Sequence, residues 1–171
     1  MTIEKYHASI RVIHWIMFIL FAIMFVLGVV MVEFKESEPW ALYNFHKSTG
    51  VLLFILVLIR LALRWIKPAP APSPDIKPQE HRIATIAIHL LYLFMVIVPI
   101  TGYMLSNMHG YSVQFYGLPL PDLFTKSAEW EEISGLVHEY AAYAFLGVIG
   151  LHLLGVIKHH VKGQEVLRRI T

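Results

Sequence analysis

Four long apolar segments alternate with short polar ones along the chain. Val12 to Val32 carries no charge over 21 residues. Leu42 to Trp65 is broken only by Lys47 near one end and by Arg60 and Arg64 near the other. Ile83 to Met108 is uncharged. So is Tyr140 to Ile157, whose helix is expected to begin near Ser127, with Glu129, Glu131 and Glu132 in its first turns, where the helix dipole favours acids. A helix needs about 20 mainly apolar residues to cross a bilayer. The pattern predicts an all-α fold, an integral membrane four-helix bundle in a single membrane domain over 1–171. The spans are expected at approximately 9–32, 42–65, 83–107 and 130–160. The first run is too long for a signal h-region and lacks a small-residue cleavage site, so it is expected to stay as a helix.

Loop charge gives the orientation. Eleven of the fourteen lysines and arginines flank one side: Lys5, Arg11, Arg60, Arg64, Lys67, Lys77, Arg82, Lys158, Lys162, Arg168 and Arg169. Lys35, Lys47 and Lys126 flank the other. Positive-inside bias therefore predicts that both termini are cytoplasmic in a multi-pass protein of a bacterial inner membrane. The connector from Lys67 to Pro74 alternates with proline and is expected to be stiff and extended. The loop from Met108 to Lys126 is the long outer one, and Tyr111, Phe115, Tyr116 and Phe124 suit an interface. Composition agrees: 57% of residues are hydrophobic and 15% charged, against about 45–50% and about 25% in soluble domains. A net charge of +2, with no basic cluster interleaved with aromatics, excludes nucleic acid as a partner. The absence of cysteine excludes disulfides, cysteine-ligated iron–sulfur clusters and thioether-attached haem.

Histidine changes the picture. There are ten, and His14, His46, His89, His138 and His152 lie in or at the edge of apolar segments, where an ionisable side chain is costly and marks function. His138 and His152 are 14 residues apart, about 21 Å of rise and almost four full turns, so both point the same way from the fourth helix. His138 falls near the outer face, level with His46 at the start of the second helix. His152 falls near the inner face, level with His14 at the start of the first. Two histidine pairs thus stack at two depths. Gly28 stands 14 residues after His14 and Arg60 14 after His46. A flat macrocycle can approach the backbone at a glycine, and an arginine can hold its carboxylates. Close helix packing is the other reading of Gly28, and snorkelling to the interface the other reading of Arg60.

Zinc prefers four ligands, usually with cysteine or carboxylate among them, and no carboxylate lies at the inner level. Haem brings four equatorial nitrogens and needs one or two axial ligands. The spacing therefore predicts two b-type haems in the bundle core, with His14, His46, His138 and His152 as the iron ligands. Six-coordinate iron has no open position, so the expected chemistry is electron transfer. A histidine-relay transporter of protons or metal ions is the competing reading.

The segments Ile13-His14-Trp15, Phe45-His46-Lys47-Ser48-Thr49-Gly50, Arg60 to Arg64 before the proline-rich turn, Ile88-His89, His138-Glu139 with His152, and His159-His160 leading to Leu167-Arg168-Arg169 resemble the bacterial cytochrome b561 family, in order and over essentially the whole chain. That family belongs to the wider group of four-helix di-haem cytochromes b that includes hydrogenase and formate dehydrogenase membrane subunits. The resemblance implies the same axial pairing. Its small stand-alone members are similar to superoxide oxidases, so it implies an oxidoreductase that takes electrons from periplasmic superoxide and passes them to ubiquinone. The alternative it leaves is a haem-bearing anchor subunit between a partner dehydrogenase or hydrogenase and quinone. The outer side carries eight acids against three lysines, a field that repels a small anion on average. Lys47, beside His46, is the candidate for superoxide guidance. Quinone needs a lipid-facing site with a proton donor. His159, seven residues beyond His152, and His89 are the candidates near the inner level, each with a structural alternative: an interfacial cluster for His159, a propionate or interhelical hydrogen bond for His89. The partners expected are lipid, ubiquinone, and superoxide or another periplasmic donor.

Overall fold

The computed structural model describes residues 4–34, 40–67, 69–71 and 75–171. Four helices are long and apolar enough to cross a membrane: α1 (Ala8–Glu33), α2 (Trp40–Ile66), α3 (Pro78–Met108) and α4 (Ala128–Val161). Helix α1 opens where the His7 side chain accepts from the Ser9 amide, and α4 has Ser127 at its N-cap. Helix α3 begins before its apolar run because Pro78 occupies the first turn, where its missing N–H costs nothing. Glu80 in that turn pairs with Lys158 at 2.8 Å and Lys162 at 3.4 Å, tying the start of α3 to the end of α4.

Close backbone packing runs from α1 to α2, α2 to α3 and α3 to α4, while α4 stands off from α1 and α2. Side chains fill that space at mid-depth. Met17, Met24, Leu53, Val57, Met95 and Phe145 form the core, with Phe145 edge-on to Phe21 at 5.0 Å and stacked on Phe94 at 6.2 Å. Outward faces expose Val12, Ile19, Val26, Leu151 and Leu154, an apolar belt suited to lipid.

The all-α chain carries one short exception among the described residues. Strands β1 (Gln114–Phe115) and β2 (Leu118–Pro119) pair antiparallel in the loop between α3 and α4, with Phe115 opposite Leu118. Tyr116 and Gly117 turn between them with φ of +48° and +94°, the left-handed pair that a two-residue hairpin turn requires. At the end of the bundle where α1 begins, Tyr6 N–H donates to Arg169 O at 3.0 Å and Trp15 Nε1–H to Ile170 O at 3.1 Å. Of the connector expected to be extended over 67–74, residues 68 and 72–74 lie outside the described residues, as do Lys35, Glu36 and Glu38.

Candidate functional site

Helix α4 presents His138, Phe145, His152 and His159 at seven-residue intervals, hence on one face. Across the gap that α4 keeps from α2, His138 meets His46. Their ring centroids are 6.4 Å apart and the planes are nearly perpendicular, at 85°. Nδ1 of His46 is buried without a hydrogen-bond partner. Gly28 sits at this level: a Cβ there would lie 3.6 Å from His46 Cε1.

At the other level, His152 of α4 lies near His14 of α1, and Arg60 of α2 lies near both. Trp15 packs edge-on to His14 at 5.5 Å. Arg60 lies over the Tyr92 ring at 5.8 Å. Arg60 Nε and Tyr92 OH are both buried without an acceptor. Two orphaned donors beside a histidine pair fit a bound group that supplies acceptor oxygens. Phe145, halfway between His138 and His152, separates the two levels.

This donor set fits a metal that brings its own equatorial ligands. Two imidazoles facing at 6.4 Å leave room for one metal bonded at about 2 Å to a nitrogen of each. Among the described residues no three metal-binding side chains gather in one place. A porphyrin supplies the four ligands such a site lacks.

The remaining predicted residues fall in different places. Lys47 Nζ lies 5.3 Å from the centroid of Tyr111, with Trp40 on that ring's other contact at 5.3 Å. His89 is exposed, and its Nδ1–H donates to Thr85 O of its own helix at 2.7 Å; no hydrogen bond or ring contact joins it to His14, His152 or Arg60 among the described residues. His159 is buried and donates from Nδ1 to Gln164 Oε1, while Gln164 Nε2 donates to Asp75 O.

Three further groups belong to the outer level. Val98 O and Thr101 Oγ1 lie 3.1 and 3.2 Å from His138 Nδ1, and a Cβ on Gly102 would come within 2.8 Å of His138 Cε1. Their signal in the sequence is Pro99-Ile-Thr-Gly102, a proline and a glycine inside an apolar helix. The outer hairpin also reaches the site. Ser48 Oγ donates to Gln114 O at 2.9 Å and accepts from Tyr116 N–H at 3.1 Å, and Thr49 Oγ1 bonds Tyr116 OH at 3.0 Å.

The family model described as prokaryotic cytochrome b561 matches residues 5–171. Cytochrome b561 homolog 2 of Escherichia coli (strain K12) is 30% identical over 174 residues, covering 99% of this chain and 92% of that protein. Probable superoxide oxidase CybB of Yersinia pestis is 25% identical, covering 96% and 95%. Cytochrome b561 homolog 1 of Escherichia coli (strain K12) is 24% identical, covering 91% of each.

Proposed function

Since the chain belongs to the prokaryotic cytochrome b561 family of haem-b membrane electron-transfer proteins, we propose that it oxidises superoxide on the outer side of the bacterial inner membrane and reduces ubiquinone within it. Two b-type haems are held in one membrane unit over 1–171, the outer by His46 and His138, the inner by His14 and His152. The reading rests on the two pairs that the spacing on α4 predicts, supported by His46 and His138, whose ring centroids lie 6.4 Å apart. A b-type haem held between two imidazoles would supply reversible one-electron chemistry. The loop charges support cytoplasmic termini, with the outer pair facing the periplasm.

The chain's residues divide the work. Lys47 offers a cation beside His46 that offsets the acidic outer loops and attracts an anion. Gly28 leaves the backbone bare against the outer level. Arg60, with Tyr92, would donate hydrogen bonds to the carboxylates of a haem at the inner level. Two superoxide anions each surrender one electron and leave as dioxygen; ubiquinone takes up both electrons and two protons to become ubiquinol. The protons come from the cytoplasmic side, where His159, next in the α4 stripe, lies in the quinone's vicinity, and His89 faces the lipid through which quinone diffuses. The name of the Yersinia pestis relative supports superoxide as the donor.

The test is made on purified protein. A pyridine haemochrome assay should give two haems per chain, superoxide should reduce them, and added ubiquinone should reoxidise them. If superoxide leaves them oxidised while a partner dehydrogenase reduces them, the anchor-subunit reading takes its place.

A further inference from the structure

His138 is held by the protein in a way that its three counterparts are not. Its Nδ1 lies 3.1 Å from Val98 O. A carbonyl only accepts, so Nδ1 carries the hydrogen and Nε2 keeps the lone pair. The Thr101 hydroxyl donates to Ile97 O and Val98 O at 3.0 and 2.9 Å. Its oxygen therefore faces His138 Nδ1–H, 3.2 Å away, as a second acceptor. Gly102 completes the cradle, since a Cβ there would meet the ring at 2.8 Å. Among the described residues, the ring nitrogens of His14, His46 and His152 make no hydrogen bond to protein. At the inner level the neighbouring group is a cation, Arg60.

These two environments act in opposite senses. A ligand imidazole that donates its N–H to a carbonyl is more basic and favours the oxidised, more positive metal. A nearby cation favours the reduced one. We propose that the cradle formed by Val98, Thr101 and Gly102 makes the outer site release its electron more readily than the inner site, biasing transfer inward. Thr101 is then a positioning residue, acting through His138. The inference rests on the ligation proposed above.

The experiment is a potentiometric titration of the full-length holoprotein, followed by visible spectra, with haem content measured in parallel. The outer component is the one retained in His14→Ala. In the unmodified protein the outer midpoint should lie below the inner. Thr101→Val should raise the reduced-to-oxidised ratio of the outer component at fixed potential by about tenfold, equivalent to about 59 mV for one electron, and leave the inner one in place. Thr101→Ser, which keeps the hydroxyl, should restore the original value. Gly102→Ala should shift the outer midpoint the same way and change the electron paramagnetic resonance signal of one oxidised haem; if that variant does not fold, the two Thr101 variants decide. An outer midpoint above the inner, an unmoved outer midpoint in Thr101→Val, or an equal shift in Thr101→Ser overturns the inference. Fewer than two haems in the unmodified protein overturns the ligation on which it stands; two haems with unmoved potentials overturns the bias alone.

Discussion

Ser48→Ala tests how the outer hairpin is fastened. Ser48 is 3% exposed and makes two hydrogen bonds to the hairpin, one to Gln114 O and one from Tyr116 N–H. Each is worth about 0.5–1.5 kcal/mol net, and a partner left unsatisfied moves the loss toward the upper end. The substitution should therefore weaken the attachment by about 2–3 kcal/mol, and every 1.4 kcal/mol is tenfold in an equilibrium. The bond between Thr49 and Tyr116 OH remains, so the hairpin should open locally while the bundle stays assembled. Hydrogen exchange in detergent micelles reads this directly. The Tyr116 amide, whose acceptor is removed, and the Leu120 amide, bonded to Val113 O at 3.0 Å, should exchange about 30- to 140-fold faster. Amides near Leu53 and Val57 should keep their protection. Unchanged exchange at Tyr116 would refute the reasoning, as would equal loss in the core of α2.

Three further outcomes are expected. His14→Ala should lower haem content from two to one per chain and leave the spectrum of the other component intact, because Phe145 and the core around it separate the levels. His89→Ala should retain both haems, since that ring is exposed and bonded within its own helix; loss of one haem there would move a ligand to α3. Lys47→Glu should slow reduction by superoxide about tenfold at low salt in stopped-flow traces, less as salt is raised, and leave reoxidation by ubiquinone unchanged.

The spans were legible because 20-residue apolar runs have few structural outlets in a membrane. The two depths were expected because a 14-residue interval on a helix fixes both rise and direction, and Gly28 lies against His46 where that arithmetic puts it. What lay hidden depends on contacts between distant segments. Thr101 reads as an ordinary helix threonine until α4 brings His138 to it. Tyr92 carries no spacing signal, and only its neighbour Arg60 and its unpaired hydroxyl single it out. The hairpin had a local cue in Tyr116-Gly117, but its anchor at Ser48 and Thr49 lies in another helix. His159 fits the α4 stripe, yet its partner Gln164 belongs to the turn after the helix.

Each histidine pair joins α4 to a helix made much earlier, α2 at the outer level and α1 at the inner. During synthesis, neither pair can exist until the last helix has been threaded into the bilayer. The helix that carries His14 is tied further by residues 169 and 170, which bond Tyr6 and Trp15 and are made after α4. A nascent chain stalled before α4 therefore presents two unmatched imidazoles and no pocket. The pairing of His46 with His138 is thus a late event in biogenesis, because it waits on α4.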